Sequence, residues 1–221
     1  MLSRNTFLPV APRIAARWGA LAALVGGSLG VAYSVAVTVA INGGGADGAA
    51  WWDTRYIGQI LFLATFLSVL GIFGLYATLV AHSGRPDRFA LAGAAFGVLS
   101  ATAILVQKAF TITMMAGWLR PGLEGFPWWI RGMQISEVLG MGACVVGLLL
   151  LGVSAYRRRL FGSLSALPFV VAALWPASIA LLVSLNMAGM DRFSWLSGTL
   201  PFLGAAFSGW VLLRNRPADH R

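Results

Sequence analysis

Six stretches of at least nineteen residues run without a single Asp, Glu, Lys or Arg: 18–46, 56–84, 89–107, 138–156, 160–190 and 193–213. An α-helix rises about 1.5 Å per residue and a bilayer's hydrocarbon core is about 30 Å thick, so about 20 mainly apolar residues span it. The pattern predicts an all-α chain with helices near 17–41, 56–81, 89–116, 133–155, 163–187 and 195–213. These form one bundle of six transmembrane helices and a single domain over 1–221. The links "HSGRPDR" at 82–88 and "YRRRLFG" at 156–162 are too short to fold on their own. "NGGGADGAAWWDTR" at 42–55 is a Gly/Ala segment ending in an aromatic pair. No soluble domain is left over, so any chemistry belongs inside the bundle or at its mouth.

Composition strengthens this picture. Of 221 residues 58% are hydrophobic and only 10% charged, with a mean hydropathy of +0.80. Soluble domains carry about 25% charged residues, so this chain cannot build a water-facing surface all round. A net charge of +9 would point to nucleic acid in a soluble protein, but here the basic residues sort by side. With the N-terminus inside, eleven arginines face the cytoplasm: 4, 13, 17, 85, 88, 157, 158, 159, 214, 216 and 221. Four face outward (55, 120, 131 and 192), and Lys108 falls within the third span. That asymmetry predicts a multi-pass protein of the cell membrane with both termini cytoplasmic. Arg157, Arg158 and Arg159 form a stop signal beside anionic lipid. Membrane lipid is the expected partner, with a membrane protein or a second copy as further possibilities and no nucleic acid. The run from Trp18 to Ile41 is too long for a signal-peptide core of about 7–15 residues, which favours a retained anchor.

Missing residues narrow the chemistry. One cysteine, Cys144, permits no intramolecular disulfide and no cysteine-based zinc site. Two histidines, His82 and His220, both fall at the cytoplasmic side, which rules out bis-histidine haem ligation in the bilayer and the HExxH arrangement. "GGSLG" at 26–30 matches a nucleophile-elbow pattern, but Ser28 lies in a helix with no membrane histidine to serve as base. The sequence implies no cofactor and no catalytic residue, and leans away from an enzyme.

Tryptophans 51, 52, 118, 128, 129 and 195 map to the outer interface, where an indole is half apolar and its N–H is wet. "GFPWWIRG" is therefore expected to lie along the membrane surface before the fourth span, rather than to act as a lid. Two charges resist that bland reading. Glu137 and Lys108 lie within the outer ends of the fourth and third spans, where a charge costs upward of about 2.5 kcal/mol. They are expected to approach closely enough to pair. Gln107 and Thr111 flank Lys108, Gln134 precedes Glu137 by one turn, Gln59 sits at the mouth of the second helix, and Asn186 ends the fifth. Ser34, Thr38 and Asn42 share one face of the first helix. Together these predict an outward-facing polar cavity. Glu137, Met141 and Cys144 share a face of the fourth helix, and with Met187 they are the chain's best soft-metal candidates, although packing explains methionine better. Pro176 and Pro201 are expected to kink the fifth and sixth helices. Gly26/Gly30 and Gly93/Gly97 are spaced for close helix packing.

"FLSVLGIFGLYATLV" followed by a short basic loop, and "VVGLLLLGVSAYRRRLFGSL" entering the next span, resemble the broad group of bacterial six-helix integral membrane proteins of unknown function. The resemblance implies architecture and no active site. Three function classes remain: small-solute transport or ligand binding near Lys108 and Glu137, an accessory or assembly subunit of a larger membrane complex, and an intramembrane lipid-modifying enzyme.

Overall fold

The computed structural model describes residues 10–43, 54–118, 127–160 and 162–214. Six α-helices follow in order: α1 (Val10–Gly43), α2 (Thr54–Ser83), α3 (Arg88–Trp118), α4 (Pro127–Arg157), α5 (Leu167–Met187) and α6 (Thr199–Arg214). α1 to α5, and the helical run Leu196–Arg214 that contains α6, are long and apolar enough to cross a membrane, and no strand occurs among the described residues. The helices form a ring in which each packs on the next and α6 closes back on α1, while α2 also touches α4 and α6. Large apolar side chains on the outside, such as Val39, Val138, Leu149, Val170 and Phe207, remain exposed, which is compatible with a membrane protein.

Three seams of the ring are drawn tight by small residues. A Cβ placed on Gly19 would stand 2.3 Å from the Gly74 Cα, so α1 and α2 cross backbone on backbone. On the opposite side of α1, a Cβ on Gly27 would stand 2.3 Å from the Ala206 nitrogen of α6. Gly93 meets Gly147 and Leu151 between α3 and α4, where the buried Ser100 hydroxyl also donates to the Gly140 carbonyl at 2.7 Å. Close backbone approach and an interhelical hydrogen bond mark these seams. Gly97 packs against Ile72 and Phe73 of α2. The glycine pairs read from the sequence are thus spent inside the bundle.

One end of the bundle is closed by a polar clamp. Asp87, just before α3, accepts the Ala90 N–H at 2.7 Å and so caps the helix. Its other oxygen accepts the Ser154 hydroxyl at 2.7 Å and the Arg158 guanidinium at 3.2 Å, both from the end of α4. Arg158 also donates to the Arg85 carbonyl at 3.2 Å. Burial pushes the Asp87 carboxyl up, but the Ala90 and Ser154 hydrogen bonds and the Arg158 charge outweigh it and hold the group below the ordinary carboxylate value. Arg157 lies over the Phe89 ring at 5.0 Å. Two of the three consecutive arginines therefore have specific protein contacts, beyond any general attraction to lipid.

Several boundaries depart from the sequence pattern for physical reasons. Residues 127–132 form the first turns of a continuous α4, which starts at Pro127 and not near 133, with the proline where a helix needs no N–H donor. A 3-10 turn over Gly162–Leu164 precedes α5, which starts at Leu167 with Pro168 in its first turn. A second 3-10 segment, Asp191–Gly198, precedes α6, which starts at Thr199. Pro201 therefore lies in a first turn, where no bond is broken, so it does not interrupt α6 as expected. Pro176 does lie inside α5.

Candidate functional site

The ring does not close on itself completely. In the half remote from the Asp87 clamp it encloses a cavity of about 500 Å³ to which all six helices contribute. Ser34 comes from α1, Phe62 and Thr65 from α2, and Ser100, Gln107 and Lys108 from α3. Glu137, Met141 and Cys144 come from α4, Trp175, Ser178 and Leu182 from α5, and Phe202 from α6. Nearer the clamp a narrow void of about 40 Å³ continues along the axis between Ser68, Leu75, Leu148, Leu167 and Leu212. Both spaces touch Thr65, Val69, Cys144, Trp175, Pro201 and Phe202, which form a collar between them.

Of the residues singled out by sequence, Lys108, Glu137 and Gln107 all line this cavity. The Lys108 ammonium stands 5.4 Å from the centre of the Phe62 ring, within cation–π range. It does not pair with Glu137: among the described residues no ammonium–carboxylate contact of 4.0 Å or less joins them, contrary to expectation. The helix register sets their relative height. Ser100 meets Gly140 and Phe110 meets Gly132 across the α3/α4 seam, which brings Glu137 level with about residue 104. Lys108 is then displaced by about one turn, roughly 6 Å, toward the far end.

Gln59, Gln134 and Asn186 are exposed and lie outside the cavity lining, while the Thr111 side chain lies outside the described part of the structure. Ser34 lines the cavity, but Thr38 and Asn42 return their side-chain donors to carbonyls one turn back, Ser34 and Thr38 respectively. Met141 and Cys144 share the cavity wall on one face of α4, whereas Met187 is 84% exposed and stands apart from them. No cluster of three or more His, Cys, Asp or Glu side chains suited to a metal occurs among the described residues. Trp51 and Trp52 lie outside the described residues, as do the side chains of Trp118, Trp128, Trp129 and Trp195.

Sequence reading missed the hydroxyls of Thr65, Ser100 and Ser178 and the rings of Phe62, Trp175 and Phe202 as cavity residues. Isolated hydroxyls and aromatics in apolar helices look alike wherever they point, and only the ring of helices brings them together. Their hydrogen bonding matters for recognition. Thr65 donates to the Leu61 carbonyl at 2.8 Å, Ser178 to Trp175 at 2.7 Å, and Ser100 to Gly140. Each hydroxyl has one proton to give, and these three are given to backbone. Polar recognition in the cavity is therefore left chiefly to Lys108, Glu137 and Gln107, with Ser34 and Ser197 also on the wall.

Comparison with known proteins gives no match to a family model, a curated protein or a solved structure.

Proposed function

We propose that this chain is an integral membrane protein that binds a small solute in the cavity at Lys108 and Glu137, as a carrier or a receptor-like binding protein. One observation supports this reading above the others: two opposite charges, not paired with each other, face one space of about 500 Å³ walled mostly by apolar side chains. Small-molecule sites have this character, about 300–1,000 Å³ of largely apolar wall with a few placed polar groups. The surplus of basic residues at the clamp end argues that this end is cytoplasmic, with the cavity in the outer half of the membrane.

The test is native mass spectrometry of the full chain purified in mild detergent. The expected result is a bound small molecule in the wild type, lost when Ser178→Trp fills the cavity. A bare chain in both, with no solute that stabilises it, would remove this reading.

A second reading, an accessory subunit, draws on a different surface. A lipid-level groove of about 390 Å³ runs between α5 and α6, lined by Val170, Leu174, Leu203, Gly204 and Phe207. It favours a partner helix or a lipid chain. Cross-linking from Leu203→Cys to another membrane protein, with the cavity empty, would favour this alternative.

A further inference from the structure

The nature of the solute follows from the two charges, on the premise that the cavity is a binding site. We infer that it accepts a small zwitterion with an apolar body, its anionic group toward Lys108 and its ammonium toward Glu137. Four observations converge on that class.

The first is charge balance. Lys108 and Glu137 together carry no net charge, and they open into a space whose walls are mainly apolar. A lone cation or anion added there would bring an uncompensated charge into a low-dielectric setting, where desolvation is expensive. A zwitterion brings none, and it gives each protein charge an opposite partner.

The second is spacing. The helix register separates the two residues by about one turn, and no direct ion pair is formed between them among the described residues. Neither charge is satisfied by the other, so a ligand that carries both an anionic and a cationic group can meet each with a charge-assisted hydrogen bond.

The third is the state of the neighbouring donors. The Thr65, Ser100 and Ser178 protons are held by backbone carbonyls, so these groups have no proton to give a ligand's anionic group, which is left to Lys108 with Gln107 beside it. The fourth is the aromatic wall. Phe62, Trp175 and Phe202 line the remaining space and suit a flat or branched apolar body.

An ammonium and an anion a few bonds apart beside an apolar body occur in apolar α-amino acids and, as a phosphate and an ethanolamine ammonium, in the headgroup of phosphatidylethanolamine. The experiment separates the two sources. The full chain is reconstituted in phosphatidylcholine nanodiscs, and tritiated L-phenylalanine binding is measured by scintillation proximity. Competitors are phenethylamine, which lacks the carboxylate, and hydrocinnamate, which lacks the ammonium.

For a free amino acid, L-phenylalanine binds saturably and each competitor is at least tenfold weaker. Lys108→Met then abolishes phenylalanine binding but retains phenethylamine, and Glu137→Gln does the reverse with hydrocinnamate. That reciprocal switch is not produced by misfolding, which would remove every ligand together.

For the lipid source, L-phenylalanine does not bind, and native mass spectrometry of protein from mixed-lipid membranes shows retained phosphatidylethanolamine that either variant loses. Neither pattern, combined with a bound mass of another class, overturns the zwitterion inference and leaves the cavity reading standing. Neither pattern with no bound mass of any kind overturns both.

Discussion

The closure of the ring at the α1/α6 seam can be tested by a single methyl group. Gly27→Ala would put a Cβ 2.3 Å from the Ala206 nitrogen and 2.5 Å from the Phe202 carbonyl oxygen. Ordinary contact begins near 3.4 Å, so α6 must back away by about 1 Å. The obstructing atoms are backbone, which cannot rotate aside as a side chain does. Overpacking of this kind costs about 1–3 kcal/mol. Gly142 on α4 provides the opposite case, since a Cβ there meets nothing within 4 Å. Alanine at that position only removes backbone freedom from the unfolded chain, which should stabilise by roughly 0.5–1 kcal/mol. The two substitutions are the same in chemistry and opposite in predicted sign. Reversible unfolding in mixed micelles, titrated with a denaturing detergent, measures both. Gly27→Ala is expected to unfold earlier than wild type and Gly142→Ala later. Equal effects of the two, or a Gly27→Ala protein as stable as wild type, would refute the proposed α1/α6 approach.

Other consequences can be checked with the same protein. Asp87→Ala removes the cap on α3 and the Ser154 and Arg158 partners, at a cost of about 2 kcal/mol in which the partly exposed ion pair is the minor share. The folded Asp87 carboxyl titrates below its unfolded value, so this stabilisation is full above the ordinary carboxylate range and is lost as pH falls through the folded pKa. Unfolding curves of wild type and Asp87→Ala should therefore converge in acid; a difference that is constant from pH 7 to the acid limit would contradict the charge argument. Ser100→Ala removes the interhelical hydrogen bond to Gly140 and should cost about 0.6–1 kcal/mol in the same detergent titration. In Gly30→Ala a Cβ would stand 2.2 Å from the Phe202 ring, which can swing toward the cavity. Solute binding should drop at least tenfold, more than the unfolding midpoint would explain.

The six helices were legible because length and the absence of charge are properties of each segment alone. Helix ends were less so: Pro127 and Pro201 can each be read as a breaker or as a first-turn residue, and only the start of the helix decides which. The charged pair shows the same division at the site. Their cost in an apolar span marks Lys108 and Glu137 from sequence, and both do face one cavity. Their relative height depends on the α3/α4 register, which is set by contacts such as Ser100 with Gly140 that no local pattern reveals. Gln134 lies one turn from Glu137 along α4, yet it is exposed outside the cavity lining, while Met141, one turn the other way, lines it.

The account depends most on the cavity at Lys108 and Glu137 being reached by water and solute. Met141, one turn from Glu137 on the cavity wall, reports this directly as Met141→Cys with Cys144→Ala. A charged, membrane-impermeant thiol reagent is applied to each face of reconstituted vesicles, with lipid-facing Leu149→Cys as the control. The account predicts modification of position 141 from one face only and none at 149. If position 141 yields to a small apolar maleimide but never to the charged reagent from either face, the space is sealed from water and the proposed solute site is wrong.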